Sequence, residues 1–210
     1  MRYYMVDAFA DALFEGNQAG VCVLDEFPET ALMQRIAQEN NLSETAFVVQ
    51  NGGYYDLRWF TPTVEIELCG HATLATGYVL STFYDSLAKG FEFHTMSGTL
   101  VVTQKGNLFE MDFPARTQEK VPVTDAIRDA VGAPVLSAHA GYNLMLELEN
   151  EESVRSLEPD IVKIKALSDF HGVIVTAQGT SCDFVSRFFA PNVGVNEDPV
   201  TGSTHTSLVP

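Results

Sequence analysis

The stretch Glu67-Leu68-Cys69-Gly70-His71-Ala72-Thr73-Leu74-Ala75 sets a thiol and an imidazole two residues apart, where a strand-like run passes into helical spacing. A thiol at a helix start lies against unpaired N–H groups and the positive end of the helix dipole, which favour its thiolate and suit it to proton transfer. The imidazole of His71 can exchange a proton near neutral pH, or serve only to meet a backbone carbonyl. A second constellation stands in Asn196-Glu197-Asp198-Pro199-Val200-Thr201-Gly202-Ser203, again before a helix start. Unpaired amides at Gly70-His71 and at Thr201-Gly202-Ser203 are suited to holding a carboxylate between them, and the glycines allow close approach. Glu44, in Asn40-Asn41-Leu42-Ser43-Glu44-Thr45-Ala46-Phe47, falls between a polar loop and a strand. Partial burial there would raise its proton affinity toward that of a general base.

Each of these residues has a structural use as well. Cys69 can be a small buried apolar group, Asp198 and Ser203 can be helix caps, and Glu44 can be a solvated surface carboxylate. His94, His139, His171 and His205 lack metal-ligand spacing, so no metal site is expected.

The elements that must position these groups are mostly short strands. Alternating or β-rich runs predict strands over Tyr3 to Phe9, Gly20 to Leu24, Thr45 to Gln50, Tyr54 to Thr61, Phe91 to Thr95, Thr99 to Thr103 and Leu108 to Phe113, with a hairpin turn at Lys105-Gly106-Asn107. Helical spacing predicts one helix after Pro28, with Leu32, Met33, Ile36 and Ala37 on a common face. A second starts near Gly70 and carries Leu74, Tyr78 and Val79 toward Phe83. Loop chemistry and a short amphipathic segment follow from about Pro114 to Ala133. Strands then resume at Asn143 to Leu148, Gly172 to Thr176 and Cys182 to Ala190, with an acidic segment from Glu151 to Leu157 between the first two.

An internal repeat underlies this pattern. Arg58, Phe60, Pro62, Val64 and Ile66 align with Arg187, Phe189, Pro191, Val193 and Val195, and Cys69 then falls opposite Asp198. The expected organisation is two similar α+β halves, residues 1–114 and 115–210, presenting two equivalent helix starts across a pseudo-twofold cleft.

Composition narrows the function classes. With 46% hydrophobic and 19% charged residues the chain can bury substantial cores. A formal net charge of −16 argues against nucleic acid or an anionic membrane surface as partner, because both would repel it. No window approaches the roughly 18 apolar residues of a spanning helix, and Met1-Arg2-Tyr3-Tyr4 leads directly into strand-like sequence, so a cytoplasmic location is expected. Cys22, Cys69 and Cys182 are an odd, widely spaced set without CxxC, which supports no disulfide framework; buried free thiols are expected at Cys22 and Cys182.

Taken in order, VDAFADALFEGNQAGVCVL, NNLSETAFV, RWFTPTVEIELCGHATLA and NEDPVTGS resemble the blocks of the phenazine-biosynthesis (PhzF-like) isomerase family, which shares its duplicated architecture with diaminopimelate epimerase. The resemblance runs through essentially the whole chain. It implies a diaminopimelate epimerase-like fold, two pseudo-symmetric halves each with a mixed sheet around a central helix. Glu44 would match the family's general acid/base, and His71 and Asp198 its residues that contact and orient the substrate. Gly70, Gly202 and Ser203, with Cys69 beside them, would match its carboxylate-binding helix starts. A small carboxylic acid is the implied substrate, a 1,3-type proton shift the implied reaction, and a homodimer the implied assembly; no metal or organic cofactor is implied.

In the epimerase relatives both helix starts carry a cysteine, whereas here Cys69 faces Asp198 across the repeat. A symmetric two-thiol mechanism is therefore not expected, and Cys69 reads as retained helix-start packing. Two alternatives stay open: an amino-acid epimerase or racemase using Cys69 and Asp198 as an unequal pair, and a non-catalytic carboxylate-binding module. By the repeat, the helix and three strand-like runs that follow Gly70 lack full counterparts after Gly202, so the second half is expected to be truncated. Such a half would leave apolar sheet surface uncovered and lower stability, or promote exchange of elements between chains.

Overall fold

The apolar runs of the first half form β1 (Arg2–Ala8), β2 (Asn17–Leu24), β3 (Glu44–Asn51), β4 (Tyr54–Phe60), a short β5 (Glu65–Ile66), β6 (Gly90–Thr95), β7 (Gly98–Lys105) and β8 (Leu108–Met111). Helix α1 (Thr30–Asn40) joins β2 to β3, and α2 (Gly70–Phe83) joins β5 to β6. The computed structural model describes residues 1–12, 14–113 and 115–209. The chain forms two compact units, Met1–Pro114 and Ala115–Pro210. Pro114, where loop chemistry marks the boundary in the sequence, lies outside the described residues, as do Leu13 in the first family-like block and the terminal Pro210.

The first unit is one mixed sheet in the order β1-β2-β3-β4-β6-β7-β8, with β5 against β4. Its β2–β3 and β4–β6 pairs are parallel and are bridged through helices, as parallel neighbours require. Side chains alternate between the faces of the sheet. Val21, Ala46 and Val48 pack with Ala72, Ala75 and Val79 of α2, while Cys22 and Phe47 pack with Met33 and Ala37 of α1. Helix α2 is buried on nearly every side, and small residues make that possible. A Cβ on Gly77 would lie 2.8 Å from Cγ1 of Val102 on β7. The buried threonines of α2 satisfy themselves within the helix, Thr73 Oγ1 donating to Cys69 O and Thr76 Oγ1 to Ala72 O.

One helix face departs from expectation. Leu32 is 48% exposed, and only Met33 and Ala37 of α1 are buried, with Ile36 at the margin. Helix α1 therefore meets the sheet along a narrow stripe that passes Leu32 by.

The second unit contains β9 (Glu119–Val121), α3 (Asp125–Val131), β10 (Ser137–Ala140), β11 (Leu144–Glu147), α4 (Glu151–Arg155), α5 (Ile161–Ala166), β12 (Val173–Gln178), β13 (Phe184–Ala190), β14 (Val195–Asp198) and α6 (His205–Leu208). Its strand order is β14-β13-β12-β11-β10-β9. From β10 to β14 the successive pairings are antiparallel, parallel, antiparallel and antiparallel, the series also found from β1 to β5. Side chains repeat with the strands. Arg58 on β4 forks onto Glu65 of β5, and Arg187 on β13 forks onto Glu197 of β14. The fold is thus α+β, made of two halves with the same core topology. The short helices are set by their caps: Thr124, Asn150 and Asp160 each accept from first-turn amides of α3, α4 and α5.

The thiols depart from expectation at one position. Cys22 is buried on β2, whereas Cys182 is exposed in the bend between β12 and β13, its Sγ donating to Phe184 O. The alternation that suggests a strand begins only at Phe184, so Cys182 belongs to the turn rather than to the sheet. Among the described residues no helix is long and apolar enough to cross a membrane.

Candidate active site

Four residues of the first unit converge at one end of its sheet. Glu44 is the first residue of β3, and parallel pairing sets it beside Ala19, two residues beyond the start of β2 at Asn17. Helix α2 runs against these strands, with Cys69 as its N-cap residue and Gly70 and His71 opening its first turn. Extended backbone at Cys69 (φ −142°, ψ 118°) turns the chain out of the β5 loop into the helix. The sheet and the helix thus deliver Glu44, His71, Cys69 and Asn17 to one locus.

The imidazole of His71 is the hub. Its Nε2 lies 3.4 Å from Oε2 of Glu44. Its Nδ1 lies 3.3 Å from Nδ2 of Asn17 and 3.5 Å from Sγ of Cys69. All four residues are buried: Asn17 is 1% exposed, His71 2%, Cys69 5% and Glu44 8%. A polar cluster this far from water is held by its internal contacts and interacts strongly with any charge brought beside it.

One ligand atom from each of Glu44, Cys69 and His71 lies within 4.8 Å of the others, a set with the chemistry to hold a soft divalent ion. The closest approaches, however, fall on opposite nitrogens of one ring, the carboxylate at Nε2 and the thiol at Nδ1. The arrangement is a chain through the imidazole rather than three donors converging on one point, and chains of this kind pass protons.

The second unit carries the other residues singled out from the sequence. Asp198 ends β14 and accepts a hydrogen bond from Thr201 Oγ1. Gly202 and Ser203 lie in a 3₁₀ turn, Gly202–Thr204, that runs into the four residues of α6, and Ser203 O accepts from Thr206 Oγ1.

Asn17 is the residue that sequence reasoning missed. Its signal was a pair of amides, Asn17 and Gln18, ahead of the apolar run Ala19 to Leu24 and next to Gly16, whose φ of +75° favours glycine. A Cβ at Gly16 would fall 2.2 Å from Ala8 O, so the turn that delivers Asn17 is closed to larger residues.

Comparison with known proteins agrees with this architecture. Residues 6–210 match the family model described as phenazine biosynthesis-like protein (PhzC-PhzF). The chain is 49% identical over 210 residues to an uncharacterised isomerase of Pseudomonas aeruginosa, covering all of this chain and 81% of that protein. The crystal structure of a PhzF-family phenazine biosynthesis protein from Enterococcus faecalis aligns with a TM-score of 0.92 at 49% identity, over 99% of this chain and 80% of that one. A hydroxyproline epimerase of Agrobacterium vitis, at 6% identity and a TM-score of 0.60 over 92% of this chain and 72% of its own, shares the fold. A duplicated α+β topology, a buried Glu–His–Cys chain at the start of α2 and a family match over nearly the whole length lead to one conclusion: the chain belongs to the phenazine biosynthesis-like (PhzC-PhzF) family.

Proposed function

We propose that the protein is a cofactor-independent isomerase that shifts a proton between two carbons of a small carboxylic acid, with Glu44 as the group that carries it. The observation that supports this is the placement of a buried carboxylate 3.4 Å from the ring of a buried histidine, at the positively polarised start of α2. In this reading the carboxylate of Glu44 takes a proton from an activated carbon, and the electron pair left behind spreads toward the substrate's electron-withdrawing group. The resulting carboxylic acid then delivers its proton to a second carbon, a 1,3-type shift. His71 orients Glu44 and the substrate's polar groups. The amides of Gly70 and His71 stabilise the charge that develops, being preorganised and shielded from water. Asp198 and Ser203 supply further substrate contacts. The name of the Pseudomonas aeruginosa relative, an isomerase, supports the reaction class.

A second reading, an epimerase in which Cys69 and Asp198 work as an unequal acid/base pair, draws support from the 3.5 Å contact between Cys69 Sγ and His71 Nδ1. Solvent-deuterium incorporation into a panel of small cyclic, aromatic-precursor and amino carboxylates, read by mass spectrometry and proton NMR, separates the two. Exchange lost in Glu44→Gln and retained in Cys69→Ala is the result expected here. The reverse pattern, with inversion of an α-amino acid, establishes the epimerase, and binding without any exchange establishes a non-catalytic carboxylate module.

A further inference from the structure

We propose that Asn17 is a positioning residue that fixes the tautomer of His71, and so makes Glu44 rather than Cys69 the proton carrier of this site. The inference rests on the proton-shift reading for its consequence, but the tautomer itself follows from contacts alone. The amide nitrogen of Asn17 lies 3.3 Å from Nδ1 of His71. An amide nitrogen only donates, so Nδ1 must present its lone pair. A neutral imidazole then carries its single proton on Nε2, which lies 3.4 Å from Oε2 of Glu44. A carboxylate oxygen at that distance is compatible with N–H at the same nitrogen. The Asn17 contact therefore selects one tautomer. The other would set two N–H donors against each other at Asn17 and a ring lone pair against a carboxylate oxygen, in a cluster with little access to water to relieve either.

The consequence falls on Cys69. Its Sγ lies 3.5 Å from the same Nδ1. With the lone pair of that nitrogen occupied by the amide N–H, the ring is poorly placed to accept the thiol proton, and Cys69 stays a thiol. Nε2, with the ring proton on it, meanwhile lies 3.4 Å from Oε2 of Glu44. The choice between carboxylate chemistry and thiolate chemistry at this helix start is thus made by a residue that need not touch substrate.

Ring-nitrogen NMR of protein labelled with ¹⁵N-histidine tests this directly, with the His71 signals assigned among the five histidines by comparison with His71→Asn. The expected wild-type pattern is an unprotonated Nδ1 and a protonated Nε2; a protonated Nδ1 overturns the proposal, and this arm requires no substitution at Asn17. Asn17→Ala should lose the single tautomer and slow substrate-proton exchange by about 10²-fold, the lower end of a general acid–base contribution. Asn17→Asp, whose carboxylate accepts at Nδ1, should protonate that nitrogen as well, turning the ring into an imidazolium between two carboxylates, and slow exchange at least as much. Unchanged ring signals in a folded Asn17→Ala or Asn17→Asp protein overturn the assignment. The expected ring signals in a protein that exchanges no proton of any carboxylate would uphold the role of Asn17 and sink the isomerase reading instead.

Discussion

His71 and Glu44 face each other at 3.4 Å although they belong to different elements, the second residue of α2 and the first of β3. The contact depends on the β2–β3 pairing and on α2 packing across both strands, so the frame that builds the core also aims the carboxylate. Glu44→Gln keeps the size of the side chain and removes its ability to carry a proton. Turnover should fall by about 10²- to 10⁴-fold with the thermal midpoint little changed, as checked by exchange kinetics beside a melting curve. Near-normal turnover of the true substrate would end the assignment.

Cys69 occupies the N-cap position of α2 without a side-chain capping bond. Serine at this position offers an oxygen to the first-turn amides. Cys69→Ser should therefore raise stability by about 0.5 to 1 kcal/mol in denaturant unfolding, the usual scale of an N-cap contribution. Under the Glu44 mechanism it should leave exchange within a few-fold of wild type. A loss of exchange matching that of Glu44→Gln would place the thiol in the chemistry.

Much of this fold was legible before any coordinates, for identifiable reasons. Apolar, β-branched runs such as Gly20 to Leu24 and the Lys105-Gly106-Asn107 turn carry their own strand and turn chemistry; the turn joins β7 to β8 as read, and the strand is present but starts three residues earlier, at Asn17. Strands such as β5 and β9 have two and three residues, too few to show a period, and were invisible. Leu32 misled because helical spacing defines a face but not how wide a stripe of it meets a neighbour. Cys182 misled because a single apolar residue two positions before a strand reads as part of its alternation. At the site, Glu44, Cys69 and His71 could be nominated singly from residue type and from likeness to a family. Their order around one imidazole, and the presence of Asn17, arise from strand register and helix packing, which no local pattern encodes.

The approach of α2 to β7 is set by Gly77, where a Cβ would lie 2.8 Å from Cγ1 of Val102. Valine is stiff at χ1, so it gives way only by moving backbone or leaving its rotamer. Gly77→Ala should cost about 1 to 3 kcal/mol of overpacking, against up to about 1 kcal/mol gained in helix propensity, for a net loss. Val102→Ala, harmful by itself, should cost less in the Gly77→Ala background than alone. Simple additivity in a double-mutant cycle read by urea unfolding would show that the contact does not constrain the helix.

The paired arginine forks differ in what else they hold. Arg58 reaches Glu65 and the hydroxyl of Thr30, whereas Arg187 reaches Glu197 and also donates through Nη1 to the carbonyls of Val154 and Leu157 at the end of α4. A lysine ammonium cannot reproduce a planar fork and these two carbonyl bonds together. Arg187→Lys should cost about 1 to 3 kcal/mol, the range for lost hydrogen bonds to a charged group, and more than Arg58→Lys in matched unfolding experiments. Equal costs would mean that the α4 carbonyls find water without penalty.

His171 gives the second unit a pH dependence of known sign. Burial first, and then the positive charge of Arg116, push its pKa down from 6.5 to about 4. Tyr142 stacks on the ring and pairs its hydroxyl with Nδ1 at 3.0 Å, while the Arg116 guanidinium lies 3.9 Å from the centre of the Tyr142 ring. Between pH 6.5 and about 4 the unfolded chain binds a proton at this histidine that the folded chain does not. Stability therefore rises with pH across this window and is lost as pH falls from 6.5 toward 4, where the loss levels off once the folded state protonates too. His171→Gln, which cannot titrate, should flatten this part of the stability profile while other acid-linked losses remain. Arg116→Gln should shift the lower edge of the window upward, because removing the guanidinium leaves the folded imidazole easier to protonate. Denaturant unfolding of the three proteins at half-unit steps from pH 4 to 7 gives the comparison, and parallel profiles for wild type and His171→Gln would show that the ring is not held neutral in the fold.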